Sequence, residues 1–199
     1  MGSVMDQEKE LVEKYVESFA KLDDMHADKA LDPVAWELAV GEPDEYGDKE
    51  WRPAATVTEH SALELIYQKL PAKFPRLYER LVLNHRWADV DLESHTLMAN
   101  PLGTGLDRLF LELSKDKFLW NSLIAKGFVQ FARAGGGHYD PVCFDTNAPT
   151  KNRDCRIVRI DHEEILCRER VKVLGTIAES FRNLMQQTIE EAAHRRMPT

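Results

Sequence analysis

The chain has 199 residues, of which 43% are hydrophobic and 30% charged, the balance of a globular protein with its own core and not of a disordered chain. Its net charge of −8 excludes general affinity for a nucleic-acid backbone, which needs Lys and Arg to displace counterions. No apolar run approaches the roughly 18 residues that cross a bilayer, and Met1-Gly2-Ser3-Val4-Met5-Asp6 lacks the basic and apolar regions of a secretory signal, so a cytoplasmic protein without a membrane partner is expected.

Residues 6–22 read as an amphipathic helix. Leu11, Tyr15 and Phe19 recur at four-residue spacing, with Val12 and Val16 widening the stripe. Asp32-Pro33, Glu42-Pro43-Asp44 and Tyr46-Gly47-Asp48 are turn signals, with a short helix over Val34–Val40 between them. Residues 1–55 are read as an N-terminal helical extension and 56–199 as the main domain.

Ser61-x-x-Glu64 has the form of a capping box ahead of Leu63, Ile66, Tyr67 and Leu70. Pro71 ends that helix, and Pro75 suits the first turn of another that turns Leu77, Tyr78, Leu81 and Val82 inward. Trp87–Leu92 alternates as a strand does. Leu106, Leu109, Phe110 and Leu113 form a helical face, and a further helix runs through Leu119 and Leu123 to a stop at Gly127. Strands are predicted at Phe128–Ala132, Val142–Asp145, Ile157–Asp161, Ile165–Cys167 and Val171–Leu174. A closing helix is predicted from the Thr176-x-x-Glu179 box, with Ile177, Phe181, Leu184, Met185, Ile189 and Ala192 on one stripe and Arg195, Arg196 and Pro198 at its end. Helices, then a strand meander, then a helix mean an α+β fold with a mixed or antiparallel sheet and flanking helices.

The most informative segment is Gly135-Gly136-Gly137-His138-Tyr139-Asp140-Pro141-Val142-Cys143-Phe144-Asp145. Glycine takes positive φ without steric cost, so three in a row between two strand-like runs mark a turn few other residues could make. The glycines lack the Gly-x-Gly-x-x-Gly spacing of a phosphate loop, and a strand follows where such a loop needs a helix.

Two chemical readings compete here. His138, Asp140, Asp145, Asp161 and His162 could serve a metal-dependent or acid–base hydrolase, although their spacing does not aim two imidazoles at one ion. Alternatively, Asp140 and Asp145 bond turn amides and His162 packs at a strand end. A Cys143–His138 nucleophile pair is weakened by apolar Val142 and Phe144 beside the thiol. Cys143, Cys155 and Cys167 are spaced by twelve, whereas zinc sites bring two ligands within about two to four residues, so they read as small buried hydrophobes. Arg168, Arg170 and Lys172 could join Lys151, Arg153, Arg156 and Arg159 in a positive surface, but the three even-numbered residues read more simply as the solvated face of an edge strand.

Four segments resemble the SUKH superfamily, the bacterial immunity-protein and fungal cell-wall-regulator group of the Smi-Knr type. They are the proline-centred helix pair Leu70 to Leu83, the glycine turn leading through Tyr139 into Val142-Cys143-Phe144-Asp145, the strand ending in Asp161-His162-Glu163-Glu164, and Ile177-Ala178-Glu179-Ser180-Phe181-Arg182-Asn183-Leu184. Together they span roughly residues 60–190. The resemblance implies a SUKH-like α+β domain that binds proteins: bacterial members block toxins, and fungal members regulate wall synthesis through partners. It brings no catalytic residues.

The expectation is therefore a non-catalytic protein-binding module, an immunity protein against a basic toxin or a regulatory partner-binding protein. Gly136, Gly137, His138, Tyr139, Asp140, Asp161 and Glu163 are its candidate partner-binding residues, forming an acidic face that covers a basic target. No cofactor, metal or nucleic acid is expected.

Overall fold

The computed structural model describes residues 4–19, 25–148 and 153–194. The predicted end of the first helix at residue 22 lies outside the described residues, as do Lys151, Arg195, Arg196 and Pro198.

α1 (Val4–Phe19) buries Val12, Tyr15 and Phe19, the stripe its periodicity predicts. Next, β1 (His26–Ala27), β2 (Ala39–Val40) and β3 (Lys49–Trp51) form a small antiparallel sheet in the order β1-β3-β2. α2 (Pro33–Glu37) lies between β1 and β2, its first turn capped by Asp32, which accepts from Ala35 N at 2.9 Å. The helix predicted over Val34–Val40 ends sooner, because Ala39 and Val40 pair with Trp51 and Glu50.

β4 (Ala54–Ala55) pairs with β5 (His85–Arg86). Between them run α3 (Ala62–Tyr67) and α4 (Arg76–Asn84). Ser61 makes no side-chain cap: its backbone is already helical, so the predicted box does not form. Pro75 stands at the N-cap of α4, consistent with a ring that pre-sets the chain for helix entry.

The strand predicted over Trp87–Leu92 shortens to β6 (Val90–Asp91), and the unpredicted β7 (His95–Leu97) returns beside it. α5 (Asp107–Leu113) and α6 (Lys117–Ile124) lead through Gly127, at φ +76°, into β8 (Phe128–Ala134). β9 (Pro141–Asp145), β10 (Ile157–Ile160), α7 (His162–Arg168), β11 (Val173–Ala178) and α8 (Phe181–His194) complete the order.

Two expectations are corrected near the C-terminus. Ile165–Cys167, predicted as a strand, belongs to α7, which Asp161 caps by accepting from Glu164 N at 3.1 Å and Glu169 ends at φ 52°. An apolar triplet cannot distinguish a strand from one turn of a helix by periodicity alone. Thr176 does not cap the last helix either. Residues 173–178 pair with β10, Val158 facing Thr176 and Ile157 facing Ala178, and α8 begins after Ser180, whose Oγ accepts from Asn183 N at 3.0 Å. The basic run is correspondingly not a strand face. Arg168 and Arg170 both bond Glu164, and Lys172 reaches Asp161 at 3.3 Å.

The six long-range strands form one antiparallel meander, β11-β10-β9-β8-β7-β6, so the α+β class with flanking helices holds. α1, α4 and α8 pack on one face, over Phe131 and Phe144, whose rings stack at 4.1 Å. Tyr78 and Phe181 meet both rings edge-on, and Tyr15 of α1 meets Phe181 at 6.2 Å. Residues before position 56 therefore share this core. Each favourable ring pair is worth about 1 kcal/mol beyond its buried area. On the opposite face Leu123, Cys143, Val158, Ile160 and Ile165 form a smaller cluster under α6 and α7. Among the described residues no helix is long and apolar enough to cross a membrane.

Candidate functional site

The triple glycine forms the tip of the β8–β9 hairpin, and the three residues do two different jobs. Gly136 and Gly137 have φ of +70° and +76°, which a side chain would strain. Gly135 is required by proximity: a Cβ there would lie 2.6 Å from the Glu93 carbonyl oxygen, and its own N–H donates to Ser94 O at 3.2 Å. Ala134 N donates to Asp140 O at 2.9 Å and closes the loop. His138 and Tyr139 are left projecting, Tyr139 at 73% exposure.

Asp140 faces the other way. Its residue is 6% exposed. Oδ2 accepts from Arg159 Nε at 2.7 Å and also contacts Nη2, while Oδ1 accepts from His162 N at 3.2 Å and His162 Nδ1 at 2.7 Å. Burial pushes this carboxyl up, but the hydrogen bonds from His162 and Arg159 outweigh it and hold it below its usual value. The carboxylate is thus ionised and His162 Nδ1 donates to it. Arg159 lies on β10 and His162 opens α7, so one carboxylate ties hairpin, strand and helix together. The Tyr139 ring sits edge-on to the His162 ring at 6.3 Å.

Asp161 accepts from the Glu164 backbone N–H, the main cause of its lowered pKa, and also from Lys172. Glu163 is exposed on the first turn of α7. At the far end of β9, roughly 16 Å away at strand rise, Asp145 is buried and bonded to Arg156 and Asn147.

The predicted residues are therefore sorted rather than gathered. Tyr139, His138 and Glu163 face outward. Asp140 turns inward and Asp161 is spent on a cap and an ion pair, which corrects the picture of a continuous acidic face. The hydrolase set is dispersed: Asp140 and His162 touch, Asp145 is distant, and His138 stands on the exposed tip. Among the described residues no three His, Cys, Asp or Glu side chains converge to hold a metal ion. Cys143 lies in the smaller core on the opposite sheet face, and burial raises its thiol well above the usual value, which makes it inert as a nucleophile. The anchor that sequence reasoning missed is Arg159. Its signal was a lone cation inside the apolar strand Ile157-Val158-Arg159-Ile160, which needs a carboxylate partner.

No protein-family model matches this chain, and no curated protein sequence matches it.

Proposed function

We propose that this chain is a non-catalytic protein-binding module that engages its partner through the tip of the β8–β9 hairpin. The observation that supports it is the contrast between two adjacent residues: Tyr139 projects at 73% exposure from a backbone that the buried Asp140 holds in place. A rigid, exposed aromatic loses little entropy on binding and is the residue type that anchors interfaces. His138 and Glu163 supply polar rim contacts. The SUKH resemblance extends this to neutralising a toxin or regulating through a partner, with steric blockade as the mechanism.

The acid–base alternative gains nothing specific from the geometry. Arg159 fills the side of Asp140 away from His162, and the neighbouring carboxylate, Asp161, is occupied by the Glu164 amide and Lys172.

The experiment is photocrosslinking in cells of the source organism, with a benzophenone side chain placed at position 139 and, as control, at Val57, which is more exposed still. A protein adduct specific to position 139 is expected, with its purified partner losing about tenfold or more in affinity for Tyr139→Ala. Absence of an adduct specific to position 139 rejects the reading.

A further inference from the structure

Three arginines converge on a single carboxylate where α1, α4 and α8 meet, away from the hairpin. Glu8, its side chain only 8% exposed, receives Arg76 Nε at 3.1 Å and Arg80 Nη2 at 3.4 Å on Oε2, and Arg182 Nη2 at 3.7 Å on Oε1. The neighbouring carboxylate on α4 is committed elsewhere: Glu79 takes a bidentate pair from Arg153, at 2.7 and 2.6 Å, and a hydrogen bond from Tyr67. Asp154 is occupied at the start of α8, accepting from Phe181 N at 2.9 Å. Three guanidinium charges against the one carboxylate they share leave an excess of two, in a chain whose net charge is −8.

Arg80 Nη2 donates a hydrogen bond to Glu8 Oε2, Arg76 and Arg182 meet the carboxylate as ion pairs, and each guanidinium fork carries five N–H donors, more than one carboxylate can accept from three arginines. Arg76 and Arg182 are 46% and 42% exposed, Arg80 22%, so unused donors reach the surface from two helices. Planar forks match the oxygens of a phosphate group bidentately. Arg76 is the first residue of α4 and Arg182 the second of α8, which adds the positive ends of two helix dipoles to the same place.

We propose that Arg76, Arg80 and Arg182 form a binding site for a dianionic phosphate group, free or on a small monoester, with Glu8 gathering the three guanidiniums beneath it. This site does not depend on the hairpin reading.

The test compares wild type, Glu8→Gln, Arg182→Ala and Arg182→Lys, melted in inorganic phosphate and in chloride at matched ionic strength, and titrated calorimetrically with inorganic phosphate and with phenyl phosphate. Phosphate should raise the melting temperature of wild type above its value in chloride. Glu8→Gln should melt lower in chloride and gain more from phosphate, because the anion replaces the missing carboxylate, with affinity about tenfold tighter. Arg182→Ala should bind about tenfold more weakly and Arg182→Lys, which keeps the charge but loses the fork, should recover part of it. Binding of both probes assigns the site to monoesters as well as the ion, and binding of inorganic phosphate alone assigns it to the free ion. If Glu8→Gln does not fold, the titrations of the two Arg182 variants, with folding checked by circular dichroism, decide the matter. Equal melting in phosphate and chloride, or affinity that ignores Arg182→Ala, overturns the site and leaves a helix staple.

Discussion

Asp140 Oδ1 accepts from His162 Nδ1 at 2.7 Å across 22 positions of sequence. The bond ties the tip of one hairpin to the first residue of a helix two strands away. The tip is therefore rigid from outside itself, and its exposed aromatic is presented by a half-buried network around the buried Asp140.

Asp140→Asn should lower stability at neutral pH by about 2 kcal/mol, the worth of hydrogen bonds to a charged group. Because the folded carboxyl is held below its usual value of 3.8, the contribution is complete above that value and is lost as pH falls through the folded one. Urea titrations of the two proteins should therefore draw together as pH falls from 3.8 and meet only below the folded value. A gap that persists there rules out a carboxylate anchor. Partner affinity should also fall, through the displaced Tyr139.

Gly135→Ala should destabilise more than Gly136→Ala or Gly137→Ala. The new methyl would press on the Glu93 carbonyl at 2.6 Å, and backbone cannot give way as a flexible side chain can. About 2 kcal/mol is expected for overpacking at position 135 and about 1 kcal/mol for each positive-φ strain. Denaturant midpoints at equal m-value check the order.

Tyr139→Ala should leave stability within about 0.5 kcal/mol of wild type, as for an exposed side chain whose one ring contact, to His162 at 6.3 Å, is solvent-accessible. A larger loss would mean that the ring holds the hairpin together and is not displayed for a partner.

Burial holds His95 at about 4, against 6.5 when unfolded. Above 6.5 both states are neutral there. Between 6.5 and 4 the unfolded chain takes up a proton that the folded one refuses, so stability falls with pH by about 3 kcal/mol in total. His95→Phe should flatten that limb without abolishing it, since burial also lowers His85. An unchanged slope in pH-dependent denaturation would contradict the assignment.

Of the three thiols, Cys167 is exposed while Cys143 and Cys155 are buried, with burial pushing Cys155 up to about 12. A disulfide reagent should titrate one thiol in the native protein and three in denaturant.

Helix periodicity, the glycine turn and the strands around Phe128–Ala132, Val142–Asp145 and Ile157–Asp161 were legible because each rests on neighbours within a few residues. The stripe of Val12, Tyr15 and Phe19 is one case, and the demand of Gly136 and Gly137 for positive φ is another. The boundaries near Ile165 and Thr176 were not legible, since competing local signals were decided by Asp161 as a cap and by β10 as a strand partner. Within the candidate site, the tip residues could be named from the turn. The direction of Asp140 could not, because it depends on Arg159, nineteen positions away.

Composition and short-range pattern thus settled the α+β class and the existence of the hairpin, for these follow from torsional preference and from which residues repel water. Which carboxylates face inward, and which arginines share Glu8, was settled by how α1, α4, α8 and the sheet pack. Charge pairing depends on distance through space, and chain order does not encode it.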